Sequence, residues 1–188
     1  MLTNIAGLKE RLETGIDVIE FGCGSGQLLA SLATSYPKSR FTASDVAPEL
    51  VDKLRGKWGH LANMSFEIHN LCRLGETMQK KYDWVYSVNV IHDLSKPQEA
   101  LDGMRGIVEE GNGVCSVIEP CMSQTGAHAE SVGNSAVAAF YGVSTFMCVP
   151  ESFQEDNSVA LGMCVGKKGI VDRLLKAKFK VEDFKALT

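Results

Sequence analysis

The chain has 188 residues, enough for one domain with a hydrophobic core. Hydrophobic residues make up 45% of it, which excludes a disordered chain, and the net charge of −4 with scattered basic residues disfavours a nucleic-acid-binding face. No apolar stretch reaches transmembrane length and no secretory signal pattern opens the chain, so we expect no membrane partner and a cytoplasmic location.

The hydrophobic pattern alternates between helix and strand as far as Pro120. Helical spacing of Leu2, Ile5, Leu8 and Leu12 predicts a helix at the start. Strands are then predicted over 16–21, 40–44, 64–69, 82–88 and 113–119, and helices over 27–35, 47–58 and 95–110. Continuous apolar strands separated by helices are typical of a parallel sheet with helices on both faces.

The pattern changes after Pro120. Residues 121–157 are rich in Ser, Ala, Gly and Met and contain no clear strand, although 137–146 has helical apolar content. A further helix is predicted over 167–178 and a last strand over 181–187. We therefore expect residues 1–188 to form a single domain, in which 121–166 is a variable insert that contributes a lid or substrate contacts.

The six cysteines are spaced irregularly, with no CxxC pair among them. Most lie in apolar surroundings, where a free thiol packs as a small hydrophobic side chain. We expect reduced thiols in a cytosolic protein, and neither a disulfide framework nor a metal site.

The most informative segment joins the first strand to the next helix. The strand ends in the acid Glu20, and glycines follow at the alternate positions 22, 24 and 26. Side chains at these positions would block the approach of a ligand to the main chain. A dinucleotide-binding turn has the spacing G-x-G-x-x-G, but Gln27 stands where its third glycine would be. The spacing indicates a nucleotide-type ligand and opposes a nicotinamide-dependent oxidoreductase.

This acid-x-Gly-x-Gly-x-Gly run resembles the first motif of the class I S-adenosylmethionine-dependent methyltransferases. Residues 41–45 (FTASD) resemble the second motif, whose acid binds the ribose hydroxyls, and 82–87 (YDWVYS) resemble the fourth-strand motif. The segment 69–71 (HNL) falls where that family contacts the adenine. The resemblance implies a Rossmann-like three-layer α/β/α fold with a mostly parallel sheet and S-adenosylmethionine as cofactor.

The resemblance also implies which residues hold the cofactor. Glu20 would attract the ammonium of its amino-acid end, and Asp45 would bind the ribose diol, because a carboxylate makes strong hydrogen bonds. The full expected set is Glu20, Gly22, Cys23, Gly24, Gly26, Asp45, Val46, Asn70, Leu71, Val88 and Asn89. An alternative for Asp45 is that it caps the helix that begins near Pro48, since Asp is a favoured N-cap.

The segment 89–94 (NVIHDL) follows the fourth strand and resembles a small-molecule subgroup of the family with the form N/A-x-I-H-D. Residues 159–167 are similar to a G-x-G-x-x-W/F-G segment of that subgroup, with Val165 in place of the aromatic. Members often carry an N-terminal winged-helix domain, which this sequence does not show, and a seventh strand is not evident.

His92 is the candidate general base, because the pKa of a histidine is close to neutrality and His92 follows the carboxyl end of a central strand, where ligands bind. Asp93 would orient it or pair with a substrate amine. The alternative is that His92 only packs beside the cofactor, because positioning alone can supply much of the rate. Glu119, at the end of the fifth strand, is interpreted as a helix cap or a surface acid in preference to a substrate contact.

The sequence therefore predicts an S-adenosylmethionine-dependent methyltransferase that acts on an unidentified small molecule. A second hypothesis is a catalytically silent protein of the same fold that binds the cofactor or a protein partner. A sheet edge left open by a missing strand, or the lid segment, would then favour a homodimer. Nothing in 120–160 selects an oxygen, nitrogen, sulfur or carbon acceptor.

Overall fold

The computed structural model describes residues 5–122 and 132–182. Within these ranges the chain forms one five-stranded sheet, whose strands are β1 (Asp17–Phe21), β2 (Arg40–Asp45), β3 (Met64–Ile68), β4 (Trp84–Val88) and β5 (Val114–Ile118). The spatial order is β3-β2-β1-β4-β5 and every pairing is parallel. The strand order reverses between β1 and β4, so the carboxyl ends of these two strands border the crevice in which open α/β sheets bind ligands.

Helices connect the strands and cover the sheet. They are α1 (Leu8–Thr14), α2 (Gln27–Ser35), α3 (Pro48–Trp58), α4 (Leu74–Thr77), α5 (Pro97–Ile107), α6 (Ser135–Val143), α7 (Val149–Ser152) and α8 (Gly166–Lys176). Short 3-10 turns span Leu71–Arg73 and Ile91–Asp93, and a π-helical turn over Ser144–Cys148 joins α6 to α7.

Two hydrophobic clusters lie on opposite faces of the sheet, because successive strand residues point to opposite sides. Val18 of β1 packs with Trp84 and Tyr86 of β4 against α1, α2 and α3, and the two aromatic rings stack with centroids 4.5 Å apart. Ile19 and Val85 pack on the other face against α4, α5 and α8. The expected Rossmann-like α/β/α layering with a parallel sheet is confirmed.

Several element boundaries differ from the prediction. α5 ends at Ile107, because Val108 has an extended backbone and forms an isolated bridge with Tyr82. Tyr82 thus pairs outside the continuous strand, and β4 begins at Trp84. The helix expected over 137–146 begins earlier, at Ser135, where the Asn134 side chain accepts hydrogen bonds from two backbone N–H groups. Residues 181–182 form no strand, and the rest of the predicted last strand lies outside the described residues, as does Leu2 of the predicted first helix.

Candidate cofactor and catalytic site

The loop between β1 and α2 depends on glycines with left-handed backbone conformations. Gly22 and Gly24 have φ angles of 61° and 52°, which are unfavourable for residues that carry a Cβ. A Cβ on Gly22 would lie 2.5 Å from Cγ2 of Val90, so this glycine lets the loop pack against the segment after β4. A Cβ on Gly24 would meet no atom within 4 Å. Gly24 thus presents bare main chain to open space at the carboxyl edge of the sheet.

Hydrogen bonds hold this loop in place. The Gly26 N–H donates to the Cys23 carbonyl at 2.9 Å, and the Cys23 N–H donates to the Ser44 carbonyl of β2 at 3.1 Å. From α3, the Trp58 indole N–H donates to the Ser25 carbonyl at 3.0 Å. The loop is therefore a preformed cradle fixed to β2 and α3.

Asp45 ends β2 directly beside the cradle. Its Oδ2 accepts a hydrogen bond from the Gly24 N–H at 3.3 Å, and its Oδ1 accepts one from the Ala47 N–H at 3.2 Å. The N-cap of α3 is Ala47, without a side-chain cap, so the alternative that Asp45 caps this helix is wrong. Each carboxylate oxygen retains lone-pair capacity for a ligand hydroxyl. Val46 follows with 61% of its surface exposed, an apolar face next to that carboxylate.

Glu20 lies one residue before the end of β1 and is almost fully buried. The Tyr86 hydroxyl donates a hydrogen bond to its Oε2 at 3.0 Å. Burial nevertheless dominates and raises the pKa of Glu20 to about 7. Burial, together with the Asp45 and Glu20 carboxylates, likewise raises the pKa of the Cys23 thiol to about 12. Cys23 is therefore an uncharged side chain that packs in the core, and its main chain forms the cradle.

The remaining predicted cofactor residues lie after β3 and β4. The Asn70 side chain accepts a hydrogen bond from the Cys72 N–H at 2.9 Å and so begins the turn after β3, in which Leu71 is buried. Val88 is half-buried at the end of β4. Asn89 is exposed and has φ of 55°, a conformation that asparagine tolerates better than most residues. All four residues belong to the carboxyl edge of the sheet.

A buried histidine–carboxylate pair lies at the same edge. His92, in the 3-10 turn after β4, is 2% exposed, and its Nδ1 contacts Oε2 of Glu119. Oε1 of Glu119 accepts hydrogen bonds from the backbone N–H groups of Val90 and Ile91, at 3.0 and 2.8 Å. Glu119 therefore fixes both the turn and the imidazole. The interpretation as a surface acid is wrong, whereas a capping role agrees with the structure.

The second ring nitrogen of His92 faces another carboxylate. Nε2 lies 3.2 Å from Oδ1 of Asp93. Burial alone would lower the pKa of His92, but the contact with Glu119 and the charges of Glu119 and Asp93 outweigh it, so that the pKa is raised above 6.5. The imidazole is thus oriented from Nδ1 and stabilised in its protonated form.

The insert packs over this turn. The Gly162 N–H donates to the His92 carbonyl at 3.1 Å, and the Val159 N–H donates to the Ser95 carbonyl at 2.9 Å. The Ser144 hydroxyl accepts a hydrogen bond from the Met163 N–H at 3.1 Å. The insert is thereby hydrogen-bonded to the turn and to Ser95, which follows it.

A family model described as "Methyltransferase domain" matches residues 19–115, just over half of the chain. The chain belongs to this methyltransferase family. The match begins in β1 and ends in β5, so it contains the glycine cradle, Asp45 and His92. The family uses S-adenosylmethionine, and several structural neighbours of this chain contain its product S-adenosylhomocysteine.

Individual relatives are distant. A malonyl-[acyl-carrier protein] O-methyltransferase of Anoxybacillus flavithermus is 40% identical over 42 residues, which are 22% of this chain and 16% of that relative. An O-methyltransferase family protein from Burkholderia thailandensis has a TM-score of 0.67 at 18% identity, over 90% of this chain and 47% of that one. The trans-methyltransferase CalH, in complex with S-adenosylhomocysteine, has a TM-score of 0.60 at 17% identity, over 91% and 46%. The chain thus covers less than half the length of each.

Sequence reasoning missed two partners in this candidate site. Tyr86 is the hydrogen-bond donor to Glu20, and the strand pattern marked it only as a core residue. Glu119 is the partner of His92. Its position at the carboxyl end of β5 indicated that it lies at the same edge of the sheet as Asp45 and His92. The spacing in sequence gave no indication that the two would meet.

Proposed function

We propose that this chain transfers a methyl group from S-adenosylmethionine to a small organic acceptor, with His92 as the group that takes the acceptor's proton. The observation that carries the proposal is the buried His92–Glu119 pair, in the turn that packs through Val90 on Gly22 of the cradle. A proton-accepting side chain and a ligand cradle are thereby held in one rigid arrangement at the edge of the sheet where ligands bind.

The described residues fit the cofactor. The open space above Gly24 admits a ligand to the main chain, the Asp45 carboxylate has acceptor capacity for a ribose diol, and Glu20 offers a carboxylate near the start of the cradle. Exposed Val46 offers an apolar surface for the adenine. S-adenosylmethionine, when bound, supplies an electrophilic methyl group.

The residues of the turn then have defined tasks. Glu119 accepts a hydrogen bond at Nδ1 of His92 and so leaves Nε2 as the atom that receives a proton. Asp93, 3.2 Å from Nε2, stabilises the imidazolium that forms. The main-chain hydrogen bonds to Glu119 keep this pair in place during the reaction. Phenols, thiols and amines are the acceptor classes that test His92 as a base, because they lose a proton on methylation. A malonyl thioester is a further acceptor to test, since the distant relatives include a malonyl-[acyl-carrier protein] O-methyltransferase, although its carboxylate is already ionised and needs no base.

The raised pKa of His92 supports the second candidate, a protein that binds the cofactor without transferring its methyl group. Carboxylates at both ring nitrogens favour the imidazolium, which has no lone pair with which to accept a proton. In that case His92 is a structural ion pair that holds the turn against β5.

One experiment separates the methyltransferase from the silent cofactor-binding protein. S-adenosylhomocysteine release is measured with a panel of acceptors, and binding of S-adenosylhomocysteine is measured in parallel by calorimetry. We expect turnover by the native chain, and we expect His92→Ala to retain cofactor binding while its turnover falls roughly a hundredfold or more, the usual contribution of a general base. Turnover that is unchanged in His92→Ala would remove His92 as the base. A native chain that binds the cofactor but methylates no acceptor class would favour the silent protein.

We also propose a cytoplasmic location and a homodimer for this chain. No disulfide joins the six cysteines, which suits a reducing compartment such as the cytoplasm. Across the described ranges, no helix has the length and apolar character needed to cross a membrane. A homodimer through the insert is a further proposal, supported by the exposed Phe146 and Met147 in the π-helical turn.

A further inference from the structure

Three potential metal ligands meet at the 3-10 turn after β4, two of them from the turn and one from the insert. His92 and Asp93 belong to the turn itself, and Cys148 ends the π-helical segment of the insert. One nitrogen, one carboxylate oxygen and the Cys148 sulfur lie within 4.8 Å of one another. The cluster is buried at His92 and Cys148, which are 2% and 7% exposed, and is reached by solvent at Asp93.

The outer contacts of the cluster match those of a protein metal site. The Nδ1 atom of His92 is taken by Glu119, which leaves Nε2 as the ligand atom. A histidine that binds a metal through one nitrogen usually donates from the other to a carboxylate, which orients the ring and raises its basicity. Glu119 is such a carboxylate, and it is fixed by two backbone N–H groups.

A second observation favours a cation at this cluster. The Oδ1 atom of Asp93 is buried, yet within the described part of the chain it has no hydrogen-bond partner. Its approach to Nε2, at 3.2 Å, therefore lacks hydrogen-bond geometry. A buried carboxylate oxygen without a hydrogen bond is costly, and a bound cation would lower that cost.

We propose that His92 Nε2, Asp93 Oδ1 and Cys148 Sγ bind a divalent zinc ion, with a fourth position open to water or an acceptor. As zinc binds, the proton of the Cys148 thiol and any proton on Nε2 of His92 are released to solvent. A mixed nitrogen, oxygen and sulfur set suits zinc, and three protein ligands with one open position are typical of reactive zinc sites. The bond lengths of zinc place tetrahedral ligands roughly 3.5 Å apart, so small side-chain movements within the cluster complete the set.

Zinc and a proton would compete for the same lone pair of Nε2. While zinc is bound, His92 cannot accept the proton of an acceptor, so base-catalysed transfer requires the metal-free state. The inference does not rest on the proposed transfer, because metal affinity is measured without cofactor or acceptor.

The test is competition of the native chain with a chromophoric chelator for Zn²⁺, together with absorption spectra of the Co²⁺-substituted protein. We expect one zinc ion per chain and a thiolate-to-cobalt charge-transfer band. Cys148→Ser should remove the band, and both Cys148→Ser and Asp93→Asn should weaken zinc binding at least roughly tenfold. Glu119→Gln, which touches no metal, should weaken zinc binding roughly ten- to hundredfold while the band remains.

Matched controls exclude adventitious binding. Cys164→Ser removes a partly buried thiol elsewhere in the insert, and His60→Gln removes an exposed imidazole. Both variants should bind zinc like the native chain, and circular dichroism checks that every variant is folded. The proposal is overturned if the folded native chain binds no zinc, if Cys148→Ser binds it unchanged, or if either control abolishes binding.

Discussion

At the residue scale, the charge of Glu20 is set by its burial. An ordinary glutamate is ionised far below neutrality, but desolvation holds the pKa of Glu20 near 7 despite the hydrogen bond from Tyr86. Between pH 4.5 and 7 the folded chain therefore keeps a proton at Glu20 that the unfolded chain releases. Because the folded state binds more protons in this range, the free energy of unfolding falls as the pH rises through it.

We predict that Glu20→Gln removes this fall. The variant should match the native chain near pH 4.5 and exceed its free energy of unfolding by about 3 kcal/mol at pH 8, since each pKa unit corresponds to about 1.4 kcal/mol. Urea denaturation at several pH values measures the difference. Glu110→Gln, which changes an exposed carboxylate, should keep the native pH dependence. If the free energy of unfolding of Glu20→Gln and of the native chain changed with pH in the same way, the raised pKa of Glu20 would be contradicted.

Gly24 offers a second test at this scale, because Gly7 is a matched control. Both have positive φ angles, of 52° and 70°, and a Cβ at either meets no atom within 4 Å. Alanine at either position should cost about 1–2 kcal/mol of stability through backbone strain. Only Gly24→Ala should also weaken S-adenosylhomocysteine binding measured by calorimetry, because its methyl group fills the space above the cradle. Equal affinities of the two variants would place the ligand elsewhere.

At the element scale, α5 supports the 3-10 turn that carries His92. It begins four residues after Asp93 and buries Leu101 and Met104 against the sheet. The hydrophobic period of this helix was readable from the sequence, because Leu101, Met104 and Ile107 recur at helical spacing. Its end was not, because Val108 leaves the helix to pair with Tyr82, a contact between distant parts of the chain.

Two alanine substitutions in α5 should change stability in opposite directions. Leu101 is fully buried, so Leu101→Ala should lower the free energy of unfolding by about 2–5 kcal/mol through the lost contacts and the cavity. A Cβ on Gly106 meets nothing within 4 Å, so Gly106→Ala should raise it by about 0.5–1 kcal/mol through helix propensity. Urea denaturation measures both. A loss in Gly106→Ala comparable to that in Leu101→Ala would contradict the described helix boundary.

At the scale of the whole molecule, the parallel topology brings the site together. Loops that follow β1, β2, β4 and β5 meet at one edge of the sheet, where Gly24 contacts Asp45 and His92 contacts Glu119. The position of the cradle beside Asp45 could be predicted from the glycine spacing and from the acid at the end of β2. Both are local patterns, and the topology rules for parallel sheets bring the ends of the two strands together.

Contacts that depend on how the insert folds back were beyond prediction. Cys148 reaches Asp93 through a π-helical turn that no hydrophobic period signals, and Gly162 reaches the His92 carbonyl from further along the insert. The carboxylate contacts of His92 are likewise set by strand order, which sequence spacing does not encode.

The central claim is that the carboxyl edge of this sheet binds S-adenosylmethionine through the glycine cradle and Asp45. Calorimetric titration with S-adenosylhomocysteine of the native chain, Asp45→Asn and Asp52→Asn tests it most directly. We predict one site in the native chain, roughly tenfold or more weaker binding in Asp45→Asn through the loss of a charged hydrogen bond, and native affinity in Asp52→Asn, which changes an exposed acid on α3. Absence of binding to the folded native chain, or equal affinities of the two variants, would contradict the claim.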